Sequence, residues 1–210
     1  MLGRVIDRLG RVTAPVDLVI ATSDQTADDD ITAFANDEGI RVYRGHSTDV
    51  AERCRSCARQ FGFDRIARIS GDSPFIDPGV IDRLLQVMAD ETPDVVTNVS
   101  PRSFPPGVSV EVFTIAALDR LMAETVSPAD REHVTPYFYA HPDRFDIRNV
   151  SADVPFDSRV RLVVDTSGDI KRARWVFSRL GKRPETATLR EIAGLAQQWD
   201  AGTDASAKGA

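Results

Sequence analysis

Short runs of strand character alternate with longer amphipathic stretches along most of this chain. Residues 17–22, 41–44, 65–70, 94–99 and 161–165 have strand length and strand composition. The 108–114 stretch alternates and is β-branched, which predicts a strand at a more exposed place, and 145–150 alternates like a half-exposed strand. Helix signals fill the intervals. Residues 1–9 form an amphipathic pattern, 26–39 a helix closed by Gly39, and 49–61 a helix stopped at Gly62. Asp77 is an N-cap with Pro78 at the first helical position, opening a helix to about Glu91. Ser127-Pro128-Ala129-Asp130 caps a helix to about Ala140, and Thr166-Ser167-Gly168-Asp169 caps another. Thr188-Leu189-Arg190-Glu191 is a capping box for a last helix ending near Trp199.

Regular strand–helix alternation predicts an α/β fold, a three-layer α/β/α sandwich around a mainly parallel mixed sheet. The rhythm breaks at 108–150, where the sheet turns mixed or carries a small insertion. No repeat or low-complexity linker divides the chain. Residues 1–199 therefore read as one domain, and the small, polar tail at 200–210 reads as disordered.

Composition narrows the function classes. The chain has 210 residues and 42% hydrophobic content, enough for a sizeable core. No apolar run approaches the ~20 residues that span a bilayer, and the N-terminus lacks the apolar region of a signal peptide. A cytoplasmic location without membrane contact is the expectation. A net charge of −6 argues against general nucleic-acid binding. It leaves room for a nucleotide, because a small pocket needs only a few local cations, and Arg44, Arg68 and Arg102 each lie beside a turn. The two cysteines, Cys54 and Cys57, lie in a helical stretch with no second pair to complete a zinc site.

Candidate chemistry gathers at the carboxyl ends of predicted strands, at Thr22-Ser23-Asp24, Arg44-Gly45, Gly71-Asp72 and Asp165-Thr166. A doubly wound sheet brings such ends to one edge, where ligands bind. Gly71 lets a ligand approach the backbone. Asp72 and Asp165, distant in the chain, are candidates to converge there and hold Mg²⁺ against phosphate oxygens. The structural alternative is that each aspartate caps the helix that follows; Asp77 already takes that task after Asp72. Asp28-Asp29-Asp30 resembles a metal cluster, yet acidic residues in a first helical turn complement the macrodipole. The 130–137 segment, with His133 and Tyr137, is dense in polar groups, and the 102–107 loop is a lid or a connection. No nucleophile elbow, Walker A loop or G-x-G-x-x-G occurs.

Several motifs in order resemble one family. They are Val19-Ile20-Ala21-Thr22-Ser23-Asp24 with Asp29-Asp30-Ile31, Tyr43-Arg44-Gly45 with Asp49-Val50, and Arg68-Ile69-Ser70-Gly71-Asp72-Ser73-Pro74 with Ile76-Asp77-Pro78. Thr97-Asn98, Arg102-Ser103-Phe104-Pro105 with Glu111-Val112-Phe113, the 130–137 segment with His141-Pro142, and Val164-Asp165-Thr166 with Asp169 follow. The chain resembles, over roughly residues 1–180, the cytidylyltransferases that include acylneuraminate cytidylyltransferases and spore-coat polysaccharide biosynthesis proteins. The resemblance implies a nucleotide-diphosphosugar-transferase-like fold. It also implies attack of a sugar or sugar-acid hydroxyl on the α-phosphate of CTP, giving a CMP-sugar and pyrophosphate. It places Mg²⁺ on Asp72 and Asp165, the nucleoside near Thr22, Ser23, Arg68 and Gly71, and the sugar near Arg102, His133 and Tyr137. A homodimer is a further expectation from similar proteins. The chain departs from the family in two ways. The family's opening strand and basic A-R-x-x-S-x-R-L-P-x-K loop have no counterpart here, so an N-terminally incomplete domain with an open sheet centre is expected. Ser109 stands where the family often has Asp. The alternatives are a non-catalytic nucleotide-sugar-binding remnant and a metal-dependent glycosyltransferase, which would carry Asp-x-Asp at a strand end, unlike Asp28-x-Asp30 at a helix start.

Overall fold

The computed structural model describes residues 1–207, with side chains through Gly202. Its strands are β1 (Val19–Ser23), β2 (Arg41–Gly45), β3 (Arg65–Arg68), β4 (Val95–Thr97), β5 (Glu111–Thr114) and β6 (Ile147–Asn149). The helices are α1 (Leu2–Leu9), α2 (Asp29–Asp37), α3 (Val50–Phe61), α4 (Pro78–Glu91), α5 (Ile115–Glu124), α6 (Pro128–His133), α7 (Thr135–Ala140), α8 (Ser167–Arg179) and α9 (Leu189–Ala207). The expected caps close these helices. The Asp49 carboxylate accepts from the Glu52 amide at 2.8 Å and Asp77 from Val80 at 3.0 Å. Thr166 and Asp169 cap α8 reciprocally, and Thr188 and Glu191 cap α9.

Three segments differ from the sequence expectation. Helix α5 was not anticipated; Thr114 caps it, and Ile115, Leu118, Leu121 and Met122 supply its buried stripe. The helix expected from Ser127 to about Ala140 breaks in two at Val134. Pro136 has no amide to donate and its ring crowds the preceding turn, so one continuous helix cannot form. Val134 lies at φ 63°, ψ −71°, a γ-turn geometry rare for a β-branched residue. The last helix runs beyond Trp199 to Ala207; 208–210 lie outside the described residues. Arg172 reaches Asp200 at 3.6 Å and Trp175 packs on Trp199. Extending an already nucleated helix costs little.

The strands form two sheets. β1 and β2 pair in parallel. The other sheet has the order β3-β5-β4-β6, with β5 antiparallel to both neighbours and β4 parallel to β6. Parallel and antiparallel pairings are thus equal in number, and the sheet is mixed rather than mainly parallel. Two local expectations need correction. β5 is central rather than exposed, with Val112 and Phe113 fully buried. The 161–165 segment is extended but belongs to neither sheet; its amides are spent on Pro106 and Asp72 instead. No ladder joins β1 to β3 among the described residues, so each has a strand on one side only.

Strand alternation divides the core between the two faces of the larger sheet. Val96, Val110 and Val112 pack with α1, α4, α8 and α9. Val95 and Phe113 pack on the opposite face with α3, α5 and α7. The result is helix–sheet–helix layering. Arg8 of α1 is 1% exposed and ties the first layer together. It donates to the carbonyls of Ile76, Pro184 and Ala187.

Candidate functional site

The site forms where the chain leaves β3 and enters α8. The Val164 amide donates to the Asp72 carbonyl at 3.0 Å, so the backbones of the two aspartate segments lie side by side. Neither carboxylate caps a helix, since Asp77 and the Thr166/Asp169 pair perform that task. Asp72 accepts one hydrogen bond, from Ser73 Oγ at 3.0 Å, and Asp165 one, from Arg161 at 3.3 Å. Both keep spare lone pairs, and Asp165 is exposed, at 52% for its side chain. Among the described residues, no cluster of three His, Cys, Asp or Glu side chains forms a ready-made metal cage. Two carboxylates without imidazole or thiolate suit a hard cation that keeps several waters, such as Mg²⁺, better than zinc.

The 101–108 loop is a packed strap. Phe104 and Pro105 are buried, and the Pro106 carbonyl accepts from Leu162 at 2.7 Å and Val163 at 3.2 Å. Gly107, at φ 95°, lies against the Leu162 and Val163 backbone, leaving no space for a Cβ. This strap fixes the segment that carries Asp165. Arg102 is exposed on it, and both its terminal nitrogens donate to Ser109 Oγ at 3.2 Å. Gly71 is exposed and faces open space, with only Leu2 at 3.8 Å from a built Cβ.

At the end of β1, Asp28 accepts from Thr22 Oγ1 at 2.8 Å and from Ser23 Oγ at 2.6 Å. The hydrogen bond from Ser23, then that from Thr22, holds the Asp28 carboxyl below its ordinary range. Arg44 braces this corner on the carbonyls of Ser23 and Gln25 and on Asp29. Asp28 and Asp29 are therefore spent on local structure. His133 is exposed at the end of α6. Tyr137 is a core residue whose hydroxyl donates to Glu124 at 3.0 Å and whose ring stacks on His141. Burial raises its pKa, with Glu124 adding to the effect. Both cysteines are free thiols, and burial pushes Cys57 up to about 11.

A polar row joins Arg68, an expected site residue, to Glu111, Thr97 and Tyr139, which are not among the expected ones. Arg68 lies opposite Glu111 across β3 and β5, and Thr97 opposite Glu111 across β4 and β5. Arg68 donates to Glu111 Oε2 at 3.1 Å, Tyr139 donates to Glu111 Oε1 at 2.7 Å, and Thr97 Oγ1 lies 2.8 Å from the Tyr139 hydroxyl. Glu111 in the otherwise apolar run Val110-Glu111-Val112-Phe113 is the signal that could have found it, because a carboxylate there must be buried with partners.

A profile of the family described as Cytidylyltransferase matches residues 1–197. The spore coat polysaccharide biosynthesis protein SpsF of Bacillus subtilis (strain 168) is 30% identical over 192 residues, spanning 90% of this chain and 79% of that protein. The structure of a cytidylyltransferase from Leptospira borgpetersenii serovar Hardjo-bovis matches with a TM-score of 0.88 at 25% identity, over 95% of this chain and 84% of that one. A CMP:2-keto-3-deoxy-manno-octonic acid synthetase complexed with CTP shares the fold, with a TM-score of 0.62 at 15% identity over 85% of this chain and 87% of that one. With its mixed α/β architecture and a family match that runs from its first residue to α9, the chain belongs to the cytidylyltransferase family.

Proposed function

We propose that this protein transfers CMP from CTP to a hydroxyl of a sugar or sugar acid, releasing pyrophosphate, in the synthesis of a surface or spore-coat polysaccharide. The observation that carries the proposal is the backbone hydrogen bond from Val164 to Asp72, which sets side by side two segments whose aspartates, Asp72 and Asp165, have no capping duty. The CTP named with the synthetase neighbour and the polysaccharide named for the Bacillus relative support the nucleotide and the product class.

Asp72 and Asp165 would hold Mg²⁺, which when bound offsets phosphate charge and lowers the pKa of a coordinated hydroxyl. The chain's own contribution is placement. Gly71 leaves room beside the backbone, Arg68 offers unpaired guanidinium donors to the nucleotide, and Thr22 and Ser23 shape the adjacent strand end. Arg102 and His133 are exposed and available to a sugar or its carboxylate. Tyr137, buried against Glu124, would act on that side by supporting α7.

A second proposal, nucleotide binding without turnover, draws on the unjoined edges of β1 and β3. Calorimetric titration of CTP with Mg²⁺ would use two forms: the chain itself, and the chain preceded by a strand and basic loop of the family type. Binding with pyrophosphate release in the presence of a sugar acid supports the transferase; binding without release supports the second proposal; no binding by either form removes both. The homodimer and cytoplasmic location belong to the same proposal, and sedimentation and cell fractionation test them.

A further inference from the structure

Glu111 is a costly residue where it stands. It occupies a central strand with 9% of its side chain exposed. Its neighbours Val110, Val112 and Phe113 show that an apolar side chain suits this sheet. Replacing a buried ionic group by a well-packed apolar one is commonly neutral or stabilising, so stability alone does not account for a carboxylate here. Its surroundings are fully organised. Strand alternation puts Glu111 and Thr97 on the face of Phe113 and Val95, the face that α7 covers. Burial, with the Glu111 charge adding to it, pushes the Tyr139 phenol far above its ordinary range, so the hydroxyl keeps its proton and donates to Glu111. Thr97 then donates to the Tyr139 oxygen, and the Val99 amide donates to Thr97 Oγ1 at 3.2 Å. This chain of donors runs one way and ends on the carboxylate whose other oxygen holds Arg68.

Arg68 reaches solvent, with 32% of its side chain exposed. Only its Nη1 is engaged, which leaves the Nε and Nη2 hydrogens without partners among the described residues. A lone surface arginine loses rotamer entropy when a ligand fixes it. One clamped in advance on a buried carboxylate loses less and offers its remaining donors as a fixed fork.

We propose that Glu111 and Tyr139 are positioning residues that hold the Arg68 guanidinium at the ligand edge, so that nucleotide binding depends on α7 being docked against the sheet. This rests on the transferase proposal, in which Arg68 faces the nucleotide. The test measures CTP affinity with Mg²⁺ by calorimetry, and KM and kcat for CTP, in Tyr139→Phe, Glu111→Gln and Arg68→Ala, and in the Tyr139→Phe/Arg68→Ala double variant. Tyr139→Phe is expected to weaken CTP about fivefold to tenfold, the effect of one hydrogen bond to a charged group, with kcat within about twofold. Glu111→Gln keeps an acceptor for Arg68 and is expected to fall between wild type and Arg68→Ala. In the Arg68→Ala background, Tyr139→Phe is expected to add nothing, because its effect passes through Arg68. Equal losses from Tyr139→Phe with and without Arg68 would show a merely structural role and overturn the proposal. Should Tyr139→Phe fail to fold, Thr97→Val interrupts the same chain from its other end and carries the same expectations. If neither the wild-type chain nor the form preceded by the family-type strand and loop binds CTP, the transferase proposal falls and this one with it; if only the extended form binds, the variants are compared in that form. A wild-type chain that binds, with Tyr139→Phe binding equally well, refutes this one alone.

Discussion

Replacing Gly107 by Ala should damage both the fold and the site, by an amount the geometry sets. Gly107 is buried with φ 95°, a conformation that L side chains rarely adopt. Forcing a Cβ into left-handed backbone costs roughly 1–2 kcal/mol. The added methyl would also stand 2.2 Å from the Val163 nitrogen, 2.3 Å from the Leu162 carbonyl carbon and 2.8 Å from its oxygen. All three are backbone atoms, so no rotamer change relieves the contact. The 161–165 segment must retreat by about 1 Å to reach ordinary van der Waals separation. That retreat strains the bonds from Leu162 and Val163 to Pro106, each worth about 1 kcal/mol. The sum is about 3–4 kcal/mol, a large part of the ~5–15 kcal/mol stability of a domain.

For a chain of this length, thermal unfolding should then shift downward by roughly 10 °C. Gly62→Ala is the control. Gly62 also has positive φ, at 74°, yet nothing lies within 4 Å of its Cβ position, so it should lose only the conformational part, about 1–2 kcal/mol. The functional consequence separates them further. Asp165 rides on the displaced segment and Val164 is bonded to Asp72, so Gly107→Ala should also weaken Mg²⁺-dependent CTP binding, whereas Gly62→Ala should leave it unchanged. Equal melting temperatures for the two variants, or unchanged nucleotide binding in Gly107→Ala, would refute the view that the strap positions Asp165.

Other outcomes follow from the same geometry. Asp72→Asn and Asp165→Asn should abolish metal-dependent CTP binding while changing unfolding free energy in urea by no more than about 0.5 kcal/mol, because each carboxylate makes only one hydrogen bond. Arg8→Met should lower urea stability by about 3–5 kcal/mol, since it strands the buried carbonyls of Ile76 and Pro184 and the part-buried carbonyl of Ala187 that Arg8 satisfies. Acid should destabilise the fold. Hydrogen bonds from Arg159 hold Asp157 down to about 2, and those from Ser23 and Thr188 depress Asp28 and Glu191. These groups bind protons more readily unfolded, so their contribution is complete above an unfolded pKa near ~4 and disappears as pH falls toward 2. Melting curves from pH 5 to 2 should show the decline, and Asp157→Asn should flatten part of it.

The sequence made the helix boundaries legible because a cap is a local device. Asp77-Pro78, the Thr166/Asp169 box and the Gly62 stop each act within a few residues, and the structure places each where the spacing predicts. Strand membership is a different kind of property. The 161–165 run has the composition of a buried strand, and Leu162 and Val164 are indeed buried. Its amides nevertheless meet a proline carbonyl and Asp72 rather than a ladder, and no feature within the run distinguishes those outcomes. β5 misled in the opposite sense. Its alternation suggested one wet face, but α7 and α5 cover that face and the alternating polar position is the buried Glu111.

Site residues divide along the same line. That the Asp72 and Asp165 segments adjoin could be read from sequence, because both follow strand-like runs and the carboxyl ends of such runs share one edge. The polar row depends on register, which no local pattern encodes. Arg68, Glu111 and Thr97 become neighbours only because β5 inserts antiparallel between β3 and β4. Tyr139 joins them only because the chain turns at Val134, in a conformation that costs of order 1–3 kcal/mol. A continuous helix through Val134 would rotate the residues that follow, so Tyr139 would no longer keep the heading that reaches Glu111 while Tyr137 and Phe138 fill the core. The strained turn and the buried glutamate are each unfavourable alone. They are consistent together, because the turn delivers the hydroxyl that the carboxylate requires, and the carboxylate holds the Arg68 guanidinium, which reaches solvent.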